Sequence, residues 1–389
     1  MAGGGSTASR LNPGAKMLKW LIIGLVLLSS TVFAQPGIQT ELTQAYSTNI
    51  FANYNQRPDY ISSAAVFMHQ DWVGELSGLR LSYRPEYTRF QKYSVRNYWL
   101  HRGGIQAFRQ FGNKRLSGAL YASARTHSPD YKWYAYRQLS GYTEWKQPLN
   151  PQWFLYAGAN FQVRDYSELT VFSRWQGLMY LRQSRSFNTG TSLIAEVDLL
   201  YRNYLKSMTA SGVDILPLLV AEGNGENLQW VGILKAAQSV TGTTGISTRL
   251  LYRKNMRNSV RYLGSLDGTY YSDDELFDDV FGYDERRLQF DLKQRLWGNV
   301  LLNAGMYYAD RQYTSRLALD FSGTPLPGAP LRRDDRTLAW VGLTRPIKAL
   351  SIRNPLVLEI EYMWKQNNSN DPYYDYTSFY ISLGFRQGF

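Results

Sequence analysis

Three histidines, His69, His101 and His127, are the only imidazoles in this 389-residue chain, and it has no cysteine. Without thiols there is no disulfide framework, zinc–thiolate site or thiol nucleophile. His127-Ser128, with Asp130 nearby, is the one cluster spaced for a His–Ser hydrolytic pair. Nucleophile and base must share a hydrogen bond, and adjacent strand residues point to opposite faces. The pair therefore works only if the chain bends there, and a polar loop tip is the simpler reading. The run Asp273-Asp274-Glu275-Leu276-Phe277-Asp278-Asp279 is rich in carboxylates. It lacks the ligand spacing and glycine turn of a calcium loop. An acidic surface loop is expected instead. No catalytic residue, resident metal or cofactor is expected, and the chain does not read as an enzyme.

Composition narrows the class. Aromatic residues make up 15% of the chain, with 30 Tyr, 17 Phe and 11 Trp, and the net charge is +12. Such aromatic content suits a carbohydrate-binding all-β protein or a membrane barrel with interfacial aromatic girdles. A basic chain invites nucleic acid as a partner. Here the cations are scattered along the chain, with no basic run, so nucleic acid is not expected.

The amino-terminal segment reads as an export signal. Lys16 and Lys19 precede an apolar run from Leu21 to Phe33, and Val32-Phe33-Ala34 places small residues before Gln35. A charged region, an apolar core and a small-residue cleavage site form a leader, here cleaved between Ala34 and Gln35. The apolar run is short of the roughly 20 residues of a spanning helix. Residues 1–16 read as an upstream extension, with Met17 as the natural start. The division is therefore 1–34, extension plus signal peptide, and 35–389, one mature domain. No Cys follows the leader to carry a lipid anchor.

From about residue 43 the pattern has period 2, the signature of strands with one apolar face. Leu79, Leu81, Tyr83 and Tyr87 alternate with Arg80, Ser82, Arg84 and Glu86. Leu288, Phe290, Leu292 and Leu296 alternate with Gln289, Asp291, Lys293 and Arg295. Leu358, Ile360, Tyr362 and Trp364 alternate with Glu359, Glu361, Met363 and Lys365, and Thr377 to Phe385 repeats the pattern. Segments such as Leu79–Gln91, Trp133–Lys146 and Tyr374–Phe389 far exceed the roughly 5–6 residues of sandwich strands. They exceed even the roughly 9–11 residues that cross a bilayer as a tilted strand. Trp72, Tyr98-Trp99, Trp133-Tyr134, Trp145, Trp153, Tyr307-Tyr308 and Tyr373-Tyr374 are expected near segment ends, at headgroup level.

These features predict an all-β protein: a single transmembrane, antiparallel, up-and-down β-barrel of about sixteen strands, with fourteen to eighteen as the range. Short turns are expected at Gly112–Lys114, Pro148–Pro151, Trp297–Asn299 and Ile347–Pro355. Long loops are expected at Ser207–Asn227, Ser272–Asp284, Ser315–Asp334 and Asn367–Tyr373. Counted forward, about seventeen strand-like segments emerge, yet a closed barrel with both termini on one side needs an even number. The surplus is expected in 207–227.

The last strand, with Tyr380, Leu383, Phe385 and terminal Phe389, resembles the carboxy-terminal strand of Gram-negative outer-membrane β-barrels. The segment Asn367 to Tyr376 is similar to the last hairpin of uncharacterised barrels linked to polysaccharide export or surface-lipoprotein assembly. That closer likeness covers about the last thirty residues, as a rough reach of one hairpin. The resemblance implies an outer-membrane location and recognition of Phe385 and Phe389 by the barrel-assembly machinery. The implied partners are outer-membrane lipid and lipopolysaccharide, with a homo-oligomer or an envelope protein beyond them.

Function then rests on the inward face. On this parity Arg80, Arg84, Glu86, Arg125, Arg249, Arg253, Asp291, Lys293, Arg295, Glu359, Glu361, Lys365 and Arg386 line the lumen. Charged rings set pore selectivity, so an excess of Arg predicts a porin-like channel for small, anionic solutes. Alternatively the charges pair across strands and fill the barrel, which then serves envelope assembly or export without an open pore. An open channel calls for an inward-folded loop, with 207–227 and 315–334 as candidates.

Overall fold

A computed structural model describes residues 33–206, 219–221, 225–257, 259, 261–263, 280–347 and 354–389. The leader residues 1–32 and the acidic run 273–279 lie outside them. So do most of the 207–227 stretch and the middle of the 347–355 turn.

Sixteen antiparallel strands close into one barrel. In chain order the first nine strands are β1 (Phe33–Ser47), β2 (Asp59–Val73), β3 (Ser77–Phe90), β4 (Tyr98–Phe111), β5 (Lys114–His127), β6 (Tyr136–Asn150), β7 (Trp153–Tyr166), β8 (Arg174–Ser186) and β9 (Thr191–Tyr204). A short strand β10 (Leu219–Ala221) follows, then β11 (Glu226–Ser239), β12 (Thr244–Arg257) and a second short strand β13 (Arg261–Leu263). The wall resumes with β14 (Tyr283–Arg295), β15 (Leu301–Leu317), β16 (Leu331–Ile347), β17 (Leu356–Ser369) and β18 (Tyr376–Gly388). Each wall strand pairs with its neighbours in sequence, and β18 closes on β1 from Gln39↔Gly388 to Ser47↔Tyr380.

The parity problem resolves at the two short strands. β10 pairs only with β13, outside the barrel, so β9 meets β11 and β12 meets β14 directly in the wall. The short triplets Leu219–Ala221 and Arg261–Leu263, in two long connections, pair with each other instead of joining the wall.

Strand ends correct several expectations. β15 and β16 run on past the expected loop start at Ser315 and back before Asp334, so the true connection is 318–330. β17 likewise continues to Ser369, which shortens the Asn367–Tyr373 loop at its start. The Ser272–Asp284 loop is longer than expected, because β12 already ends at Arg257. Trp133 and Tyr134 belong to a 3-10 turn, Pro129–Tyr134, and β6 starts only at Tyr136. The Pro148–Pro151 turn falls later, since β6 runs to Asn150. Tyr307 and Tyr308 sit inside the 17-residue β15 rather than at its end. In each hairpin that is extended, hydrogen-bonded pairs beyond the membrane stabilise polar sequence as strand.

The apolar rows face outward with no protein against them: Leu42, Met179, Val197 and Leu234 are all more than half exposed. Apolar surface of that extent is stable only against lipid. Pro85 in β3 lacks a backbone donor, and the β2–β3 ladder loses two pairs between Ala65↔Glu86 and Met68↔Tyr83 with its register unchanged.

Inward aromatic rings lie flat on facing glycines. Phe108 covers Gly78, Tyr121 covers Gly104, Tyr180 covers Gly158 and Trp340 covers Gly305, each from the directly paired position. A glycine opposite lets the ring fold onto the wall and leaves the lumen clear. At Gly305 an added Cβ would strike the Trp340 ring and come within 2.7 Å of the Phe290 carbonyl oxygen. Gly305→Ala is therefore expected to force the ring inward and cost about 1–3 kcal/mol by overpacking. The urea midpoint of refolded protein checks this; an unchanged midpoint would refute the close-approach argument.

Candidate functional site in the lumen

Alternation around the closed wall sends one side chain of each pair inward. Arg80, Arg84, Glu86, Arg125, Arg249, Arg253, Asp291, Lys293, Arg295, Glu359, Glu361, Lys365 and Arg386 all fall on the face opposite the exposed apolar rows. The structure groups them unequally.

On the wall formed by β1–β3 with β17 and β18, charges are paired. Arg80 holds Asp71 by two hydrogen bonds of 2.6 Å. Arg84 reaches Glu41 at 2.7 Å and Glu86 at 3.4 Å, and Arg386 reaches Glu359 at 2.7 Å. These pairs stay wet: the side chains of Arg84, Arg386 and Glu359 are 38%, 42% and 45% exposed. Arg125 instead lies over the Tyr98 ring at 4.3 Å, and Lys365 over Tyr376 at 5.2 Å.

On the wall formed by β11, β12 and β14, cations accumulate. Lys235 and Arg249 occupy directly opposed positions of β11 and β12, and Lys293 and Arg295 follow on β14. Among the described residues none of these has an ion-pair partner. Like charges opposite one another cost stability. Asp291 in the same region accepts hydrogen bonds from Ser247 at 3.1 Å and Gln289 at 2.9 Å. Glu361 on β17 has no ion pair among the described residues.

β8 and β9 add charges absent from the expected set. Arg182 binds Glu196, with Asp198 two residues further along the same face, and the Tyr180 hydroxyl donates to Glu144 at 2.6 Å. Lys235, Glu41 and Asp71 were likewise missing from the expected set.

The mouth at the long-loop end is reinforced by buried charge and aromatic packing. Arg332 and Asp334 on β16 are bonded at 2.5 and 2.9 Å and almost fully buried. The Arg332 guanidinium lies 3.5 Å from the Tyr374 ring centre and 4.4 Å from that of Tyr313. Asp371 in the neighbouring loop is pushed above the ordinary carboxylate range by burial, against the opposing pull of Arg332 and Arg316. Glu285 on β14 is clasped between Arg311 at 3.0 Å and Arg287 at 2.5 Å. Across the mouth, Tyr131, Tyr134, Tyr166, Leu169, Val171 and Phe172 form an apolar cluster under the β5–β6 and β7–β8 loops.

Among the described residues, the turn before β14 lies inward, while most of the 207–227 candidate lies outside those residues. The 3-10 turn Val280–Gly282, just before β14, lies against the wall: Gln229 Nε2 donates to the Val280 carbonyl at 2.9 Å. Arg253 donates to Gln229 Oε1 at 3.2 Å and to the same carbonyl at 3.4 Å. Phe281, 2% exposed, places its ring 4.2 Å from the Arg202 guanidinium on β9.

The histidines are dispersed. His69 covers Gly37 in the lumen, and His101 lies outward, hydrogen-bonded to Tyr83 at 2.7 Å. His127 packs among Tyr98, Tyr131 and Tyr134, while Ser128 Oγ donates to the Val95 carbonyl at 2.7 Å. His127 and Ser128 do not form a pair.

A closed sixteen-stranded antiparallel barrel with an outward apolar belt and a polar, charged lumen has the architecture of outer-membrane β-barrels. Solved structures of that class are similar to it. The outer-membrane protein OpdK from Pseudomonas aeruginosa matches with a TM-score of 0.50 and 10% identity, over 91% of this chain and 99% of that one. A BenF-like porin from Pseudomonas fluorescens Pf-5 matches with a TM-score of 0.50 and 10% identity, over 92% and 99%. At this identity the likeness is one of fold. No family model matches the chain, and no curated protein matches its sequence.

Proposed function

We propose that the protein is a porin-like channel of the outer membrane for small solutes, with a preference for anions. The observation that carries the reading is the lumen wall of β11, β12 and β14, where Lys235 faces Arg249 with no acid between them. Such a surface favours anions in transit. The exposure of the paired Arg84 and Arg386 supports a water-filled lumen rather than one plugged by its own ion pairs. A BenF-like porin among the similar folds agrees with a channel.

Purified protein in planar bilayers is expected to give discrete conductance steps. In a salt gradient the reversal potential should have the sign of anion preference. Absence of steps would instead favour an assembly or export barrel, with its mouth closed by the Tyr131–Phe172 cluster. Steps with cation preference would refute the anion reading alone.

Export and assembly signals complete the proposal. Cleavage between Ala34 and Gln35 would remove two register positions of β1, Phe33 and Ala34, and leave the pairing with β2 from Gln35↔Asp71 onward. Phe385 and Phe389 are outward and exposed, a position in which the assembly machinery can read them before the barrel enters lipid. Lipopolysaccharide and membrane lipid cover the apolar belt.

A further inference from the structure

Between the charged walls lies a cavity of about 430 Å³ on the lumen side of β5–β9, lined without a single charged residue. That volume is within the range of small-ligand sites. Its polar side is built from Tyr121, Ser140, Tyr142, Asn160, Gln162 and Gln176. Leu178 and Leu200 form an apolar floor, and Phe281 of the inward turn closes one side.

The amides form a row. Gln176 donates to Gln162 Oε1 at 3.1 Å, and Gln162 donates to Gln138 at 2.9 Å. Arg202 anchors the row, donating to Gln176 Oε1 at 2.9 Å under the Phe281 ring. Each carboxamide in the row keeps a spare N–H, and Gln162 Oε1, which accepts only from Gln176, keeps a spare lone pair. Asn160 is exposed, Tyr142 is 38% exposed, and the side chains of both have no hydrogen-bond partner among the described residues.

We infer that this cavity is a binding subsite for a saccharide, engaging an uncharged, hydroxylated ring. Vicinal hydroxyls are donors and acceptors at once, and they match spare N–H groups and lone pairs side by side. The C–H faces of a sugar ring match the rings of Tyr121 and Tyr142 and the Leu178–Leu200 floor. A purely aromatic solute would desolvate the amides without pairing them, which is unfavourable. A carboxylate would find its cations on the β11–β14 wall instead. The inference deepens the channel proposal by naming a solute class, and rests on it only for the route of entry.

Isothermal titration calorimetry of the full-length protein in detergent, with maltose as the probe, tests the subsite without any conductance. Saturable millimolar binding is expected. Asn160→Ala and Tyr142→Phe are each expected to weaken it by about fivefold, the scale of one lost hydrogen bond. Heat-modifiable migration on gels verifies that the variants fold. No heat from maltose, equal binding of benzyl alcohol, or wild-type affinity in both variants would overturn the inference. Maltose binding without conductance steps would leave the subsite standing and remove the channel; steps without maltose binding would do the reverse.

Discussion

Asp334→Ala is expected to lower the stability of the barrel by about 3–5 kcal/mol, the cost of stranding one charge of a buried pair. Asp334 is fully buried; it receives two hydrogen bonds from Arg332 and one from Ser369 at 2.7 Å. Removing the carboxylate takes both charge-assisted hydrogen bonds from the buried Arg332 guanidinium, which stays wedged between Tyr313 and Tyr374. The Arg332→Met, Asp334→Leu double variant should recover most of the loss, because a well-packed apolar pair replaces a buried ion pair at little cost. Urea unfolding in lipid vesicles measures both. A single variant as stable as the parent, or a double variant no better than the single, would show that the pair does not hold the mouth together.

The second large effect concerns ion preference. Lys235→Glu with Arg249→Glu is expected to turn an anion-preferring pore toward cations, changing the permeability ratio by roughly tenfold. Each elementary charge contributes about 0.7 kcal/mol at roughly 6 Å in water. Two reversals change four charges, and salt screening reduces the sum to the scale of one decade. The reversal potential in a potassium chloride gradient reads the change directly. The single Lys235→Glu variant should shift it part of the way and remove the like-charge cost, raising stability by about 0.2–1 kcal/mol. A reversal potential unmoved by the double variant would mean that ions pass elsewhere or not at all.

The ends of the wall were more legible from sequence than its middle, for a physical reason. In β3, β14 and β17 the outward face is aliphatic or aromatic and the inward face is charged, and in β18 the inward face is small and polar, so period 2 stands out. In β8, β9 and β11 the contrast fades. Leu178, Leu200, Val231 and Ile233 point inward, while Gly177, Gln183 and Gly232 point outward. A barrel that hosts an apolar floor inside its lumen loses the alternation that would reveal it. Lys235, Arg182, Glu196 and Asp198 were therefore missed, and so was the cavity beside them. Strand ends were misjudged where polar residues continue the ladder above the membrane, as at Arg332–Asp334. The inward turn could not be foreseen from composition: Val280-Phe281-Gly282 is an ordinary apolar triplet until Gln229 and Arg253 capture its carbonyl.

The seam between β1 and β18 also constrains how the molecule comes into being. The chain's first and last strands are neighbours, and the Phe389 amide donates to the Ile38 carbonyl at 2.8 Å. No shorter chain emerging from synthesis can satisfy both edges of the sheet, because the final partner is always the last to arrive. Until then two open strand edges invite pairing with other chains. The largest sequence separation in the fold is thus bridged at the last step, a slow arrangement by contact order. Deletions at the carboxy terminus would act on closure of the whole ring, with effects out of proportion to the few residues removed.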